Sequence, residues 1–101
     1  MALFTIIFQF RRRDFAYQVE GASVMDALRH WITELDTERI PSFGNLSKKR
    51  LTYELERTGP TSIAGMECMH TWHGGISGYA TTVYVVETER SGNRSKPPQK
   101  E

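Results

Sequence analysis

Cysteine is nearly absent from this sequence, which contains one cysteine and four prolines in 101 residues. A single cysteine cannot form a disulfide within the chain, which fits a reducing compartment and predicts a cytoplasmic location. Long hydrophobic stretches are also missing, because no run approaches the ~20 apolar residues that a membrane helix needs. The first run, Met1–Phe10, is followed by three arginines, whereas the basic residues of a signal peptide precede its apolar part. The sequence therefore predicts neither a membrane span nor secretion.

An excess of charge of one sign is lacking as well, since thirteen basic and twelve acidic residues leave a formal net charge of +1. The last eleven residues, SGNRSKPPQKE, hold three of the basic residues and one acidic residue, so residues 1–90 carry a net charge of −1. A nucleic-acid-binding domain is normally clearly basic, so the charge argues against a nucleic-acid partner. Residues 91–101 lack a large apolar anchor, and we predict one compact domain over residues 1–90 followed by a disordered basic tail over residues 91–101.

The first half of the chain has the pattern of a hairpin followed by a helix. Ala2–Phe10 is apolar on both alternating faces, which is typical of a central strand, and Phe15, Tyr17 and Val19 alternate with polar residues in a second strand. The polar break between them predicts an antiparallel pair. Ser23 is a suitable N-cap for an amphipathic helix, whose apolar stripe is formed by Val24, Ala27, Leu28, Trp31, Ile32 and Leu35.

Residues 46–57 fit two interpretations. Leu51, Tyr53 and Leu55 alternate with polar residues, as in a strand, whereas a cap at Asn45 or Ser47 would start a helix. The abundance of Lys, Arg, Leu and Glu favours the helix. Two further strands, Ile63–Trp72 and Tyr79–Thr88, are predicted on either side of the loop HGGISG.

The strand directions predict the topology. We expect an α+β, two-layer domain of ββααββ order, with a four-stranded antiparallel sheet in the order 2-1-4-3 and two helices on one face. The other face of the sheet is then left without a cover, and a bare apolar sheet face predicts a partner surface.

One cluster contains the residue types of a metal or nucleophilic site. Cys68 and His70 share a face of their predicted strand, and three ligands with His73 would suit zinc. Strand alternation places His73 on the opposite face, however, and no second cysteine completes the set. We therefore expect Cys68 to be a buried small hydrophobe beside a hydrogen-bonded histidine, with no catalytic residue, metal or cofactor.

A second candidate is the basic run Arg11, Arg12 and Arg13, which could contact phosphates from a hairpin tip. The near-zero net charge favours a solvated turn instead, and the same holds for Lys48–Arg50 at a helix start. The glycine-rich loop at residues 73–78 lacks the lysine and the following helix of a phosphate-binding loop, so it predicts a flexible lip beside Trp72 and His73. The candidate binding residues are His70, Trp72, His73, Arg11, Arg12 and Arg13.

The segment Val19-Glu20-Gly21-Ala22-Ser23, followed by a helix containing Ala27-Leu28, resembles the small HicB-type antitoxin domains. In that family a strand also leads into a similarly capped amphipathic helix. The resemblance covers about a third of the chain, and the later helix and hairpin depart from it.

These observations give three functional hypotheses. The leading one is a non-enzymatic binding module of bacterial or phage origin that forms a homodimer through its open sheet face, with another protein as a further candidate partner. One alternative is a small metal- or Cys/His-dependent enzyme built on Cys68, His70 and His73. The other is a HicB-like antitoxin-type or single-strand nucleic-acid-binding domain.

Overall fold

The computed structural model describes residues 2–89, apart from the side chains of Glu67 and Glu89, and the predicted tail at residues 91–101 lies outside this range. The strands are β1 (Ala2–Phe10), β2 (Arg13–Gly21), β3 (Thr61–Ile63), β4 (Met66–Ile76) and β5 (Tyr79–Glu89). Two helices, α1 (Val24–Glu34) and α2 (Asn45–Thr58), join the first strand pair to the rest, and a short 3-10 turn at Thr37–Arg39 lies between them. No helix within residues 2–89 is long and apolar enough to cross a membrane.

The α+β class and the antiparallel sheet are confirmed, and the number of strands is corrected. The five strands have the order β2-β1-β5-β4-β3, so the four predicted strands keep their relative order and β3 is added at one edge. The predicted strand Ile63–Trp72 is broken by a turn at Gly65, whose φ of 83° suits a glycine. The chain therefore folds back, and β3 pairs antiparallel with β4 through Thr61 and Thr71.

The predicted loop at residues 73–78 is also corrected, because β4 continues through both glycines to Ile76. The actual turn is formed by Ser77 and Gly78, with φ of 54° and 85°. Gly74 is required inside the strand because a Cβ there would lie 2.6 Å from the Trp72 ring. The glycine that indicated a loop instead makes room for an indole on the sheet.

Both helices form from signals that the sequence contains, although one cap differs. The Ser23 hydroxyl accepts from the Asp26 N–H at 3.1 Å, which confirms the predicted start of α1. Residues 46–57 are helical, but α2 begins after Gly44 without a side-chain cap, so neither Asn45 nor Ser47 is the cap. Lys48, which appeared to be a solvated charge, donates to the carbonyls of Thr33 (3.2 Å) and Leu35 (3.0 Å). Its ammonium group satisfies acceptors at the C-terminal end of α1, where a cation is favourable.

The core lies between the helices and one face of the sheet, which we call the covered face. Four side chains of β1 point into it, namely Phe4, Ile6, Phe8 and Phe10. Trp31 is 1% exposed, as the helical stripe predicts, and its ring meets Phe8 edge-on at a centroid distance of 5.4 Å. Phe43, from the connection between the helices, contacts the same Phe8 ring at 5.3 Å. Burial of these aromatic groups stabilises the packing of α1, and of the connection that follows it, on the sheet.

Candidate interaction surfaces

The opposite side of the sheet has no cover within residues 2–89, because both helices pack on the covered face. We call this side the open face. Its central rows follow from the strand register: Ile7 lies between Ala16 and Tyr84, and Thr5 lies between Gln18 and Val86. The side chains that form it along β1, β4 and β5 are mostly half-buried by their neighbours in the sheet: Leu3, Thr5, Ile7, Gln9, Met69, Thr71, His73, Thr82, Tyr84 and Val86.

The open face is apolar at its centre, and the described side chains on β1, β4 and β5 that form it are uncharged. Ile7, Tyr84 and Val86 are adjacent on β1 and β5, two of the three strands that have neighbours on both sides. Their cross-strand neighbours are Thr5, Ala16, Met69 and Thr71. With histidine counted as neutral, no described side chain of β1, β4 or β5 on this face carries a charge. Acidic side chains occur on the face at β2, where Asp14 and Glu20 are exposed. A neutral surface of this kind favours contact with another neutral surface.

The candidate Cys/His cluster is divided between the two faces of the sheet. The register places His70 opposite Val85, on the covered face, and His73 opposite Thr82, on the open face. This confirms the alternation argument. His73 lies 3.2 Å from the Thr82 hydroxyl through Nδ1, while His70 Nδ1 is buried and has no hydrogen-bond partner in the described part of the chain. Cys68 is half-buried rather than fully buried, and residues 2–89 contain no group of three His, Cys, Asp or Glu side chains that could hold a metal ion.

Trp72, another candidate binding residue, lies in the core. It is 5% exposed, and its indole N–H donates to the Thr58 hydroxyl at 2.9 Å. This bond fastens the end of α2 to the sheet, so the structure gives Trp72 a packing role.

The basic run at residues 11–13 forms the tip of the first hairpin. Arg11 and Arg12 make a two-residue turn with φ of 54° and 66°, and Arg13 is the first residue of β2. The Arg11 guanidinium donates to the Ser42 hydroxyl and lies 4.8 Å above the Tyr79 ring. Because the phenylalanines of β1 are on the covered face, Tyr84 is the one aromatic side chain on the open face within residues 2–89. The structure thus offers no row of aromatic rings near the arginines for base stacking.

A cavity with a volume of about 590 Å³ lies between the helices. Its polar lining includes Lys48 and Lys49, with Asn45, Thr33 and Thr52. The Lys48 ammonium is already engaged by two carbonyl groups of the connection after α1. The geometry therefore supports a helix-capping role for this lysine.

A second surface, which the sequence did not reveal, lies between the free edge of β2 and α1. We call it the edge groove. It comprises two adjoining cavities of about 440 and 280 Å³ that share Val19 and Glu34. Its lining consists of Tyr17, Gln18, Val19, Glu20, His30, Trp31, Thr33, Glu34 and Leu35. The strand order implied that β2 is an edge, but the gap beside α1 depends on how the helix packs.

The buried parts of the edge groove are apolar and its outer rim is acidic. Burial raises the pKa of the Tyr17 hydroxyl, an effect that nearby Arg39 opposes. The indole N–H of Trp31 is buried and has no hydrogen-bond partner among the described residues. The Glu20 carbonyl lies 2.8 Å from His30 Nδ1, which closes one end of the free edge. Within residues 2–89, no lysine or arginine side chain lines the groove.

No family model, curated protein or solved structure matches this chain.

Proposed function

We propose that this protein is a non-enzymatic interaction module that acts as a homodimer through its open face. The observation that carries this proposal is the position of Ile7, Tyr84 and Val86. They lie on β1 and β5, two of the three strands that have neighbours on both sides, on a face that no helix of residues 2–89 covers. Apolar groups at the centre of a surface and polar groups at its rim are the usual arrangement of an interface.

The lack of charge among the described side chains at the centre of the open face favours a second copy of the chain as the partner. A two-fold contact brings each surface against itself, so any charge near the axis would face its own like. The described side chains of β1, β4 and β5 on the open face carry no charge that could repel an identical copy. The acidic residues among the described side chains of the face, Asp14 and Glu20, lie towards the two ends of β2, opposite Gln9 and Leu3 rather than opposite Ile7.

The two alternative functions receive less support from the geometry. A Cys/His active site would need His73 on the same side as His70, and the register separates them. A nucleic-acid surface would need cations on the open face, and the arginine turn instead contacts Ser42 and Tyr79 beside the core. The HicB-type alternative rests on the Val19–Ser23 segment and the helix after it.

The test is the mass of the assembly in solution, measured by sedimentation equilibrium. Ile7→Asp places a carboxylate at the centre of the open face, so the number of chains in the assembly should fall to half that of the wild type. Ala80→Asp is the matched control, because it adds the same charge at the exposed end of β5, outside the apolar centre. It should leave the assembly unchanged.

Circular dichroism and thermal unfolding of both variants show whether the protomer is still folded. A wild-type protein that sediments at one chain mass, 11.6 kDa, at high concentration would contradict the proposal. So would a folded Ile7→Asp variant with the wild-type mass.

A further inference from the structure

The β2 strand is a long sheet edge whose central residues, 15–19, lack the charged side chains and prolines that usually protect an edge against pairing. It has nine residues, its register with β1 is unbroken, and it contains neither proline nor lysine. Natural sheets commonly shield an edge with such residues, with a bulge, or with a covering segment. Among residues 2–89, no strand pairs with the outer side of β2.

The hairpin geometry shows which backbone groups of β2 are available. Phe10 and Arg13 flank a two-residue turn with positive φ at both positions, so they form a hydrogen-bonded pair. The pairing alternates along the strands, and the N–H and C=O groups of Asp14, Ala16 and Gln18 therefore point away from β1. The contact between the Glu20 carbonyl and His30 agrees with this alternation. These residues present an open ladder of donors and acceptors.

The side chains that line the edge groove favour a binding partner of particular chemistry. Tyr17, Val19, Trp31 and Leu35 offer an apolar site, while Glu34 supplies negative charge at the rim. Neither Glu20 nor Glu34 forms an ion pair within the described residues. An extended segment that combines an apolar side chain with a cation two residues away would fit both parts.

Strand β2 is itself such a segment. Arg13 and Phe15 are two residues apart and point to the groove side of the sheet. Arg13 is exposed and has no ion-pair partner within residues 2–89. We propose that β2 pairs antiparallel with β2 of a second copy. The two sheets are then joined edge to edge, and the two-fold axis that relates them passes between the two Ala16 residues.

The charges select this register. With Ala16 on the axis, Phe15 lies opposite the partner's Tyr17. Arg13 lies opposite the partner's Val19, next to the rim of the partner's groove, where Glu34 supplies the negative charge. Moving the axis to Tyr17 would instead place Asp14 opposite the partner's Glu20, where like charges repel. The selected register joins opposite charges twice, once at each end of the pairing.

This contact goes beyond the proposed function, because it uses the strand edge and leaves the open face of both copies exposed. The two contacts are therefore separable by mutation. The first measurement is sedimentation equilibrium of Ile7→Asp, in which the open-face contact is removed. The edge contact predicts an assembly of two chain masses for this variant, and one chain mass at the highest soluble concentration would overturn it.

A charge exchange tests the register in the same Ile7→Asp background. Arg13→Glu and Glu34→Arg should each raise the dissociation constant of the edge dimer at least tenfold, since each sets like charges against one another. The double variant should recover most of the lost affinity. Lys49→Glu, at an exposed position on α2, changes the net charge as Arg13→Glu does and should have no effect. A double variant as weak as either single variant would refute the proposed register.

A backbone test complements the charge exchange. Ala16→Pro removes an N–H that points away from β1, a position at which an edge strand tolerates proline. By symmetry it deletes both central hydrogen bonds of the dimer, so the dimer should dissociate while the thermal unfolding of the protomer changes little. A folded Ala16→Pro variant that still dimerises would contradict the strand pairing. If Ile7→Asp keeps the wild-type mass, the open-face proposal fails. The edge contact is then tested by introducing the Arg13 and Ala16 substitutions into the wild-type protein.

Discussion

Trp31 and Trp72 form a natural pair for testing how the core is stabilised. Both indoles are almost fully buried, at 1% and 5% exposure. They differ in the indole N–H, which donates to the Thr58 hydroxyl in Trp72 but has no partner in Trp31. Replacing each tryptophan by phenylalanine removes the same atoms, so the loss of buried area cancels to first order between the two variants.

The expected difference follows from the cost of the two N–H groups. A hydrogen bond within the protein contributes about 1 kcal/mol, and a buried donor without a partner costs roughly 1–3 kcal/mol. Trp72→Phe loses the bond to Thr58, whereas Trp31→Phe relieves an unsatisfied donor. Trp72→Phe should therefore lower the free energy of unfolding by roughly 2 kcal/mol more than Trp31→Phe does.

Trp31→Ala should cause the largest loss in the free energy of unfolding among the three tryptophan variants. It deletes the ring that packs against Phe8 at 5.4 Å and Tyr17 at 5.8 Å. Truncating a buried aromatic side chain costs about 3–5 kcal/mol, a large part of the 5–15 kcal/mol that typically stabilises a domain.

The assay is urea unfolding followed by circular dichroism at one protein concentration, since self-association makes the midpoint depend on concentration. If Trp31→Phe destabilises as much as Trp72→Phe, the argument from the unsatisfied N–H is refuted. If Trp31→Ala barely moves the midpoint, the stripe of α1 does not face the core.

Two further predictions concern single contacts. Gly74→Ala should destabilise by about 1–3 kcal/mol, because the new Cβ would overlap the Trp72 ring, while Gly75→Ala, which has open space, should leave the thermal midpoint nearly unchanged. The Arg29 guanidinium, hydrogen-bonded to Glu56 at 2.7 Å, holds the pKa of that carboxyl below its ordinary value of 4.5. This interaction stabilises the fold above the unfolded-state pKa and is lost as the pH falls through the folded-state pKa. The stability gap between wild type and Glu56→Gln should therefore shrink on acidification, and a gap that stays constant down to pH 2 would contradict this.

Much of the fold could be predicted from local pattern. The alternation in Ala2–Phe10 and Tyr79–Thr88 identified the two central strands, and the stripe that includes Leu28 and Trp31 identified α1 with its buried side. The same alternation separated His73 from His70. The open face was also predictable, because two helices that pack on one side of a sheet leave the other side uncovered.

The sequence by itself determined which residues could share a face, because side-chain direction in strands and helices repeats with a fixed period along the chain. Tertiary structure decided which of those faces meet. It selected the Phe4–Phe10 side of β1 for the core, brought Lys48 to the carbonyls at the end of α1, and carried β4 through Gly74 beneath the Trp72 ring. It also opened the edge groove beside β2. These outcomes depend on contacts between distant segments and on the volumes that must fit together, which no local period encodes.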